Sequence, residues 1–225
     1  MSANSTAPVT RLDIKALKRL EQNFLMQYPS GFETPELAKR IKRHTVGRMT
    51  ELSREFFAES ALANVSLAAA NMARIVSRSS LVSVFEKPRF RDFVGGLNED
   101  EKAFLVDGLR EMLHGNQRLG FEAMLDLLKT RKLAKWSLLT VIPNYYAPVR
   151  EIFVKPTTTK GILKHFGITD PVYKPTPTWD FYEKYRTIIN AGRERVDKSI
   201  GSSNVAFSGF LMMSVEVQQP PRKGG

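Results

Sequence analysis

The chain has 225 residues, a formal net charge of +11 and no cysteine. The missing thiols exclude disulfides, zinc ribbons, thiolate nucleophiles and cysteine-held iron–sulfur clusters. Three histidines, far apart in sequence, leave little for an imidazole-based metal site, and no cofactor is implied.

The first ten residues lack the basic start and apolar run of a signal peptide. The longest uncharged stretches, residues 60–73 and 199–215, contain polar residues and fall short of the ~20 apolar residues that cross a bilayer. The expectation is a cytoplasmic protein without a transmembrane segment.

Residues 1–9 are expected to be disordered. Thr10 is read as the cap of a first helix carrying Ile14, Leu17, Phe24 and Leu25 at helical spacing, and Tyr28-Pro29-Ser30-Gly31 ends it. Thr34-Pro35-Glu36 starts a second helix, with a hydroxyl, a first-turn proline and an acid near the positive helix end. Residues 37–77 contain no proline, although Gly47 can break the run; their Ala-rich part suits close helix packing. Pro88 opens a short helix through Phe93. Asn98 and Glu101 form a capping-box start of a helix running to Leu113, Asn116 caps another carrying Leu119, Phe121, Leu125 and Leu128, and the two read as an antiparallel hairpin.

The character changes near Leu133. Residues 136–142 and 149–154 are rich in β-branched and aromatic side chains and read as two strands. Pro143-Asn144-Tyr145-Tyr146-Ala147-Pro148 is then the loop of a β-hairpin. Pro156 opens a short helix ending near Phe166-Gly167. The segment 171–177 carries three prolines and must be extended. Helices from Trp179 and from Ser203 or Asn204 complete the chain, and residues 216–225 read as a disordered tail. The expected fold is a mainly α, multi-helix protein with a small β-hairpin in its C-terminal half. A helical domain would span 10–130, followed by an α+β subdomain over 131–215.

Charge is distributed unevenly. Seven acids face three bases between Asn98 and Asp126, whereas eight bases face one acid, Glu151, between Lys129 and Lys164. A second basic cluster is Lys39, Arg40, Lys42, Arg43, His44 and Arg48; a looser third is Arg74, Arg78, Lys87, Arg89 and Arg91. Blocks of like charge repel, and phosphate is a common neutraliser for a basic protein. The acidic hairpin packed against the basic segment would cancel it equally well, as would solvent.

Both tryptophans and five of six tyrosines lie between Trp136 and Tyr185, amid the basic residues. Lysines that follow a backbone and rings that stack on bases are the ingredients of a nucleic-acid groove. The candidate contacts are Lys135, Arg150, Lys155, Lys160 and Lys164. Tyr145 and Tyr146 are candidate stacking groups at the loop tip. Thr158, within Pro156-Thr157-Thr158-Thr159-Lys160, sits at a helix start that can hold an anion; an ordinary Thr-capped helix explains it too.

No phosphate-binding glycine loop, zinc-protease motif or nucleophile elbow occurs. His44, His114 and His165 read as surface or cap residues. Glu151 and Lys155 would share a strand face without forming a recognised motif. The leading expectation is a non-catalytic nucleic-acid-binding protein. The alternatives are a helical interaction or assembly protein, or a homo-oligomer, using residues 61–73 and Met212-Met213. Last comes an enzyme acting on an anionic substrate.

Overall fold

The computed structural model describes residues 10–42 and 46–217. Expected disorder at residues 1–9 and in the tail from 218 lies outside the described residues, as do Arg43 and His44 of the second basic cluster.

The described chain is helical. The N-terminal part holds α1 (Ile14–Gln27), α2 (Pro35–Lys42), α3 (Val46–Phe56) and α4 (Val65–Arg78). Asp13, not Thr10, caps α1, its carboxylate accepting from Ala16 N–H at 2.9 Å. Next come α5 (Glu86–Gly95), α6 (Glu99–His114) and α7 (Gln117–Thr130). The expected capping box at Asn98–Glu101 opens α6, and Asn116 caps α7. These two helices pair as the expected hairpin and approach closely at Gly120, where a Cβ would lie 2.3 Å from the Met112 nitrogen.

The β-hairpin is absent: no strand occurs among the described residues. The first expected strand and its loop are one helix, α8 (Trp136–Tyr146), with Pro143 inside it. Every residue from Trp136 to Tyr145 is buried, between α3, α4, α6 and α7. A short continuous apolar run suits a buried helix as well as a buried strand, so periodicity could not separate them. Inside a core, a helix satisfies its own backbone groups and requires no partner strand.

The second expected strand is also missing: residues 149–151 form a turn and bend, with the Arg150 and Glu151 amides donating to Ala147 O at 2.9 and 2.8 Å, and residues 152–155 carry no regular structure. Asn190 Nδ2 donates to Arg150 O at 3.0 Å, and Asn204 Nδ2 donates to Glu151 O at 3.0 Å. The Val154 amide donates to Thr140 Oγ1 at 3.1 Å. Side chains of α8 and of two later helices thus stand where a neighbouring strand would.

Those later elements are α9 (Pro156–His165), α10 (Trp179–Arg193), the short α11 (Lys198–Gly201) and α12 (Asn204–Val217). Helix α12 packs on α9, α10 and α1, bringing the first and last described helices together. One buried apolar cluster runs from Leu12 to Val215, with residues on both sides of Thr130. The Ala-rich α4 turns Ala68, Ala69 and Ala73 into it.

Candidate nucleic-acid interface

Ion pairing sorts the basic side chains into two groups. In the hairpin, Lys102 meets Glu99 at 2.7 Å, Arg118 meets Glu122 at 2.9 Å, Lys129 meets Asp126 at 2.9 Å, and Arg110 pairs with Asp107. All are three or four residues apart on one helix, where side chains of successive turns face each other. A single longer contact, Arg131 to Glu101 at 3.9 Å, reaches forward into the basic segment. The acidic hairpin thus spends most of its charge on its own bases.

Lys132, Lys135, Lys155, Lys160 and Lys164 are exposed and form no ion pair with a described carboxylate. Lys132 follows α7 with φ +56°, in the left-handed region that favours glycine. Two hydrogen bonds hold it there: Lys132 N–H to Lys129 O at 3.0 Å and Leu133 N–H to Leu128 O at 2.8 Å. This is the paired pattern that commonly ends a helix on glycine.

Contacts beneath Lys135 and Lys160 link them, with Lys174, into a strip. Lys135 caps α8, and the next residue, Trp136, donates its indole N–H to Lys174 O at 2.8 Å. Tyr173 precedes Lys174 in the extended segment, 6.4 Å from Trp136 and edge-on to Phe181 at 5.6 Å. The Lys160 ammonium lies 5.9 Å from the Tyr173 ring centroid. Lys164 follows Lys160 by one turn. On the other side of the α8 start, Ser137 donates to Glu86 at 2.7 Å. That contact brings up the turn carrying Val84 and Phe85, which are 70% and 80% exposed. These contacts connect Phe85, Lys135, Lys174, Tyr173 and Lys160 in turn, with Lys164 one helical turn beyond. Of the acids around it, Asp170 and Asp180 are paired with Lys184 at 3.2 and 3.3 Å, while Glu86 accepts from the neutral Ser137 hydroxyl.

Other sequence-derived candidates sit elsewhere. Tyr145 is fully buried, its hydroxyl 2.9 Å from Ser79 Oγ, so it is no exposed loop tip; the helix that replaced the loop turns it inward. Burial also raises its hydroxyl above the usual tyrosine value. Tyr146 is half-buried against His114, and its carbonyl accepts from Arg54 Nε at 3.2 Å. Thr158 is turned inward toward Met212 Sδ at 3.5 Å, and Thr159 shares a hydrogen bond with Tyr185. Of the three threonines at the α9 start, only Thr157 faces solvent.

Arg150 is exposed but engaged with Glu151 at 3.0 Å. Glu151 itself is fully buried. Arg186 Nη1 contacts it at 2.8 Å, the Tyr182 hydroxyl donates to it at 2.8 Å, and Gln117 Nε2 donates at 2.9 Å. Arg186 in turn lies over the Trp179 and Tyr182 rings, 5.5 and 5.3 Å from their centroids. This network ties α7, α10 and the 149–154 segment together. Two cavities bear on an enzymatic role. One is a small apolar cavity beside α8; the other, about 110 Å³, lies between α1 and α12. Neither is lined by Glu151. Among the described residues no cluster of three His, Asp or Glu could hold a metal, and no helix is long and apolar enough to cross a membrane.

Of the histidines, His114 is bonded to Phe57 O at 2.8 Å. His165, on α9, is held below its ordinary value by burial and by the positive charge of Arg19 on α1. Phe85, Tyr173 and Lys174 were missed by sequence reasoning. The proline-bounded segment around Tyr173 was the available signal: it had to be extended, and an extended polar loop exposes its side chains.

Comparison with protein-family models, with curated proteins and with solved structures returns no match to this chain.

Proposed function

We propose that the protein binds nucleic acid through the strip, its lysines neutralising backbone phosphates. The observation that carries this reading is the set of exposed lysines, Lys132, Lys135, Lys155, Lys160 and Lys164, left without carboxylate partners while the neighbouring hairpin pairs its own bases. Unpaired cations on one surface repel each other, and a polyanion relieves that repulsion while releasing its counterions. Arg150 contributes less, because Glu151 already engages it. No catalytic role is assigned.

The test is fluorescence anisotropy with a labelled oligonucleotide at increasing salt. With about six phosphates neutralised, the slope of log affinity against log salt is about −5 for duplex DNA and about −4 for a single strand. A flat salt response, or no binding at low salt, refutes the reading.

A further inference from the structure

Phe85 sits at one end of the strip with 80% of its surface exposed, beside Val84 at 70%. Nothing within the fold explains that exposure. Phe85 occupies the cap position of α5 yet makes no side-chain cap bond. The turn around it is nevertheless held firmly. The amides of Phe85, Glu86 and Lys87 all donate to Ser83, at 3.3 Å to Oγ and at 3.0 and 3.2 Å to the carbonyl. Val82 is buried beneath, and Glu86 is anchored to Ser137. The ring is thus presented on an ordered support. Arg89 nearby on α5 is exposed and has no carboxylate partner among the described residues.

Resting on the nucleic-acid reading above, we infer that the ligand is single-stranded and that Phe85 is the ring on which an unpaired base stacks. A duplex hides its base faces in its own stack and offers a protein only base edges and phosphates. A phenyl ring at the end of a cationic strip gains little from that surface. An unpaired base offers its face, and a phenylalanine has no hydrogen-bonding group with which to select among bases. The alternative for an exposed apolar tip with basic neighbours is an anionic membrane. The exposed large apolar side chains of this tip are Val84 and Phe85 alone, little area for a lipid surface to hold, whereas one ring suffices to stack one base.

The experiment compares oligothymidine, a duplex of equal length, and phosphatidylcholine–phosphatidylserine vesicles, all at low salt, for the wild type, Phe85→Ala, Phe85→Tyr and Phe85→Leu. Unchanged far-UV circular dichroism verifies the fold of each variant. The expected result is tighter binding of the single strand than of the duplex. Phe85→Ala should weaken the single strand alone, by roughly five- to a hundredfold. Tyr should retain affinity, and Leu, apolar but not aromatic, should lose most of it. Equal binding of both nucleic acids with no effect at Phe85 overturns this inference and leaves the lysine reading standing. Vesicle capture that Leu preserves, without single-strand preference, also overturns it and makes the tip a lipid wedge. Absence of binding to either nucleic acid overturns the inference and the lysine reading together.

Discussion

In the α6–α7 hairpin every lysine and arginine lies one turn from a carboxylate, whereas the lysines between Lys132 and Lys164 face none among the described residues. The two regions adjoin in sequence and carry opposite charge, so mutual cancellation was the obvious arrangement. Apart from Asp126, which takes Lys129 within its own helix, only Glu101 reaches from the hairpin into the basic segment, at 3.9 Å. The difference teaches that sequence proximity of opposite charges does not neutralise a surface. Helical spacing pairs an acid with a base three or four residues away before it meets one on another element. Exposed pairs of this kind contribute about 0–1 kcal/mol each, so the hairpin's charges are mostly spent locally. The lysines of the strip are left without such partners.

The sharpest contrast to both surfaces is the buried pair. Removing one partner of a buried ion pair costs about 3–5 kcal/mol, because the remaining charge loses its compensation. Arg186→Ala leaves Glu151 only the exposed Arg150 as a charged partner, and should lower stability by about 3 kcal/mol in urea titration; a loss below about 1 kcal/mol would show that Arg186 does not hold this network together.

On the strip, replacing Lys135, Lys160 and Lys164 together by Gln should reduce single-strand affinity on the order of a hundredfold near 0.1 M salt, since each lost phosphate contact removes about 0.7 of a log unit. Stability should change little. The hairpin control Lys102→Gln should leave binding unchanged, because Lys102 already serves Glu99. Equal losses from the two variants would erase the distinction between the regions.

Lys132 separates stability from function at a single position. Its left-handed backbone costs roughly 1 kcal/mol that glycine avoids. Lys132→Gly should raise stability by about 0.5–1 kcal/mol and still weaken nucleic-acid binding, and a variant that gains both would show that Lys132 makes no phosphate contact. The smallest effect concerns His165, whose folded value lies below the ordinary one. Folding then favours its neutral form. Its contribution is complete above about pH 6.5 and is lost as pH falls from there through the lower folded value. His165→Gln should flatten that part of a stability–pH profile; an unchanged slope would place the acid sensitivity elsewhere.

Much of the helical scaffold was readable from local signals. Asn98 with Glu101, Pro35 after Thr34, and Pro156 each start a helix at or beside the expected residue, because caps and first-turn prolines act within a few residues. Trp136 to Tyr146 was not readable. Its β-branched and aromatic residues favour a strand locally, and burial on all sides decided for a helix. That one decision moved Tyr145 from a loop tip into the core and left residues 149–154 without a partner strand. Of the strip, the lysines were legible from charge counting. Phe85, Tyr173 and Lys174 were not, since their neighbourhood depends on the Trp136–Lys174 and Ser137–Glu86 contacts, each spanning tens of residues.

The central claim is that the lysines of the strip are unpaired and available to phosphates. The most direct test is the salt slope of single-strand binding, measured for the wild type and for the Lys135, Lys160 and Lys164 triple variant. The account predicts that the slope becomes shallower by about 2. An identical slope in both proteins would show that phosphates are met elsewhere and would contradict it.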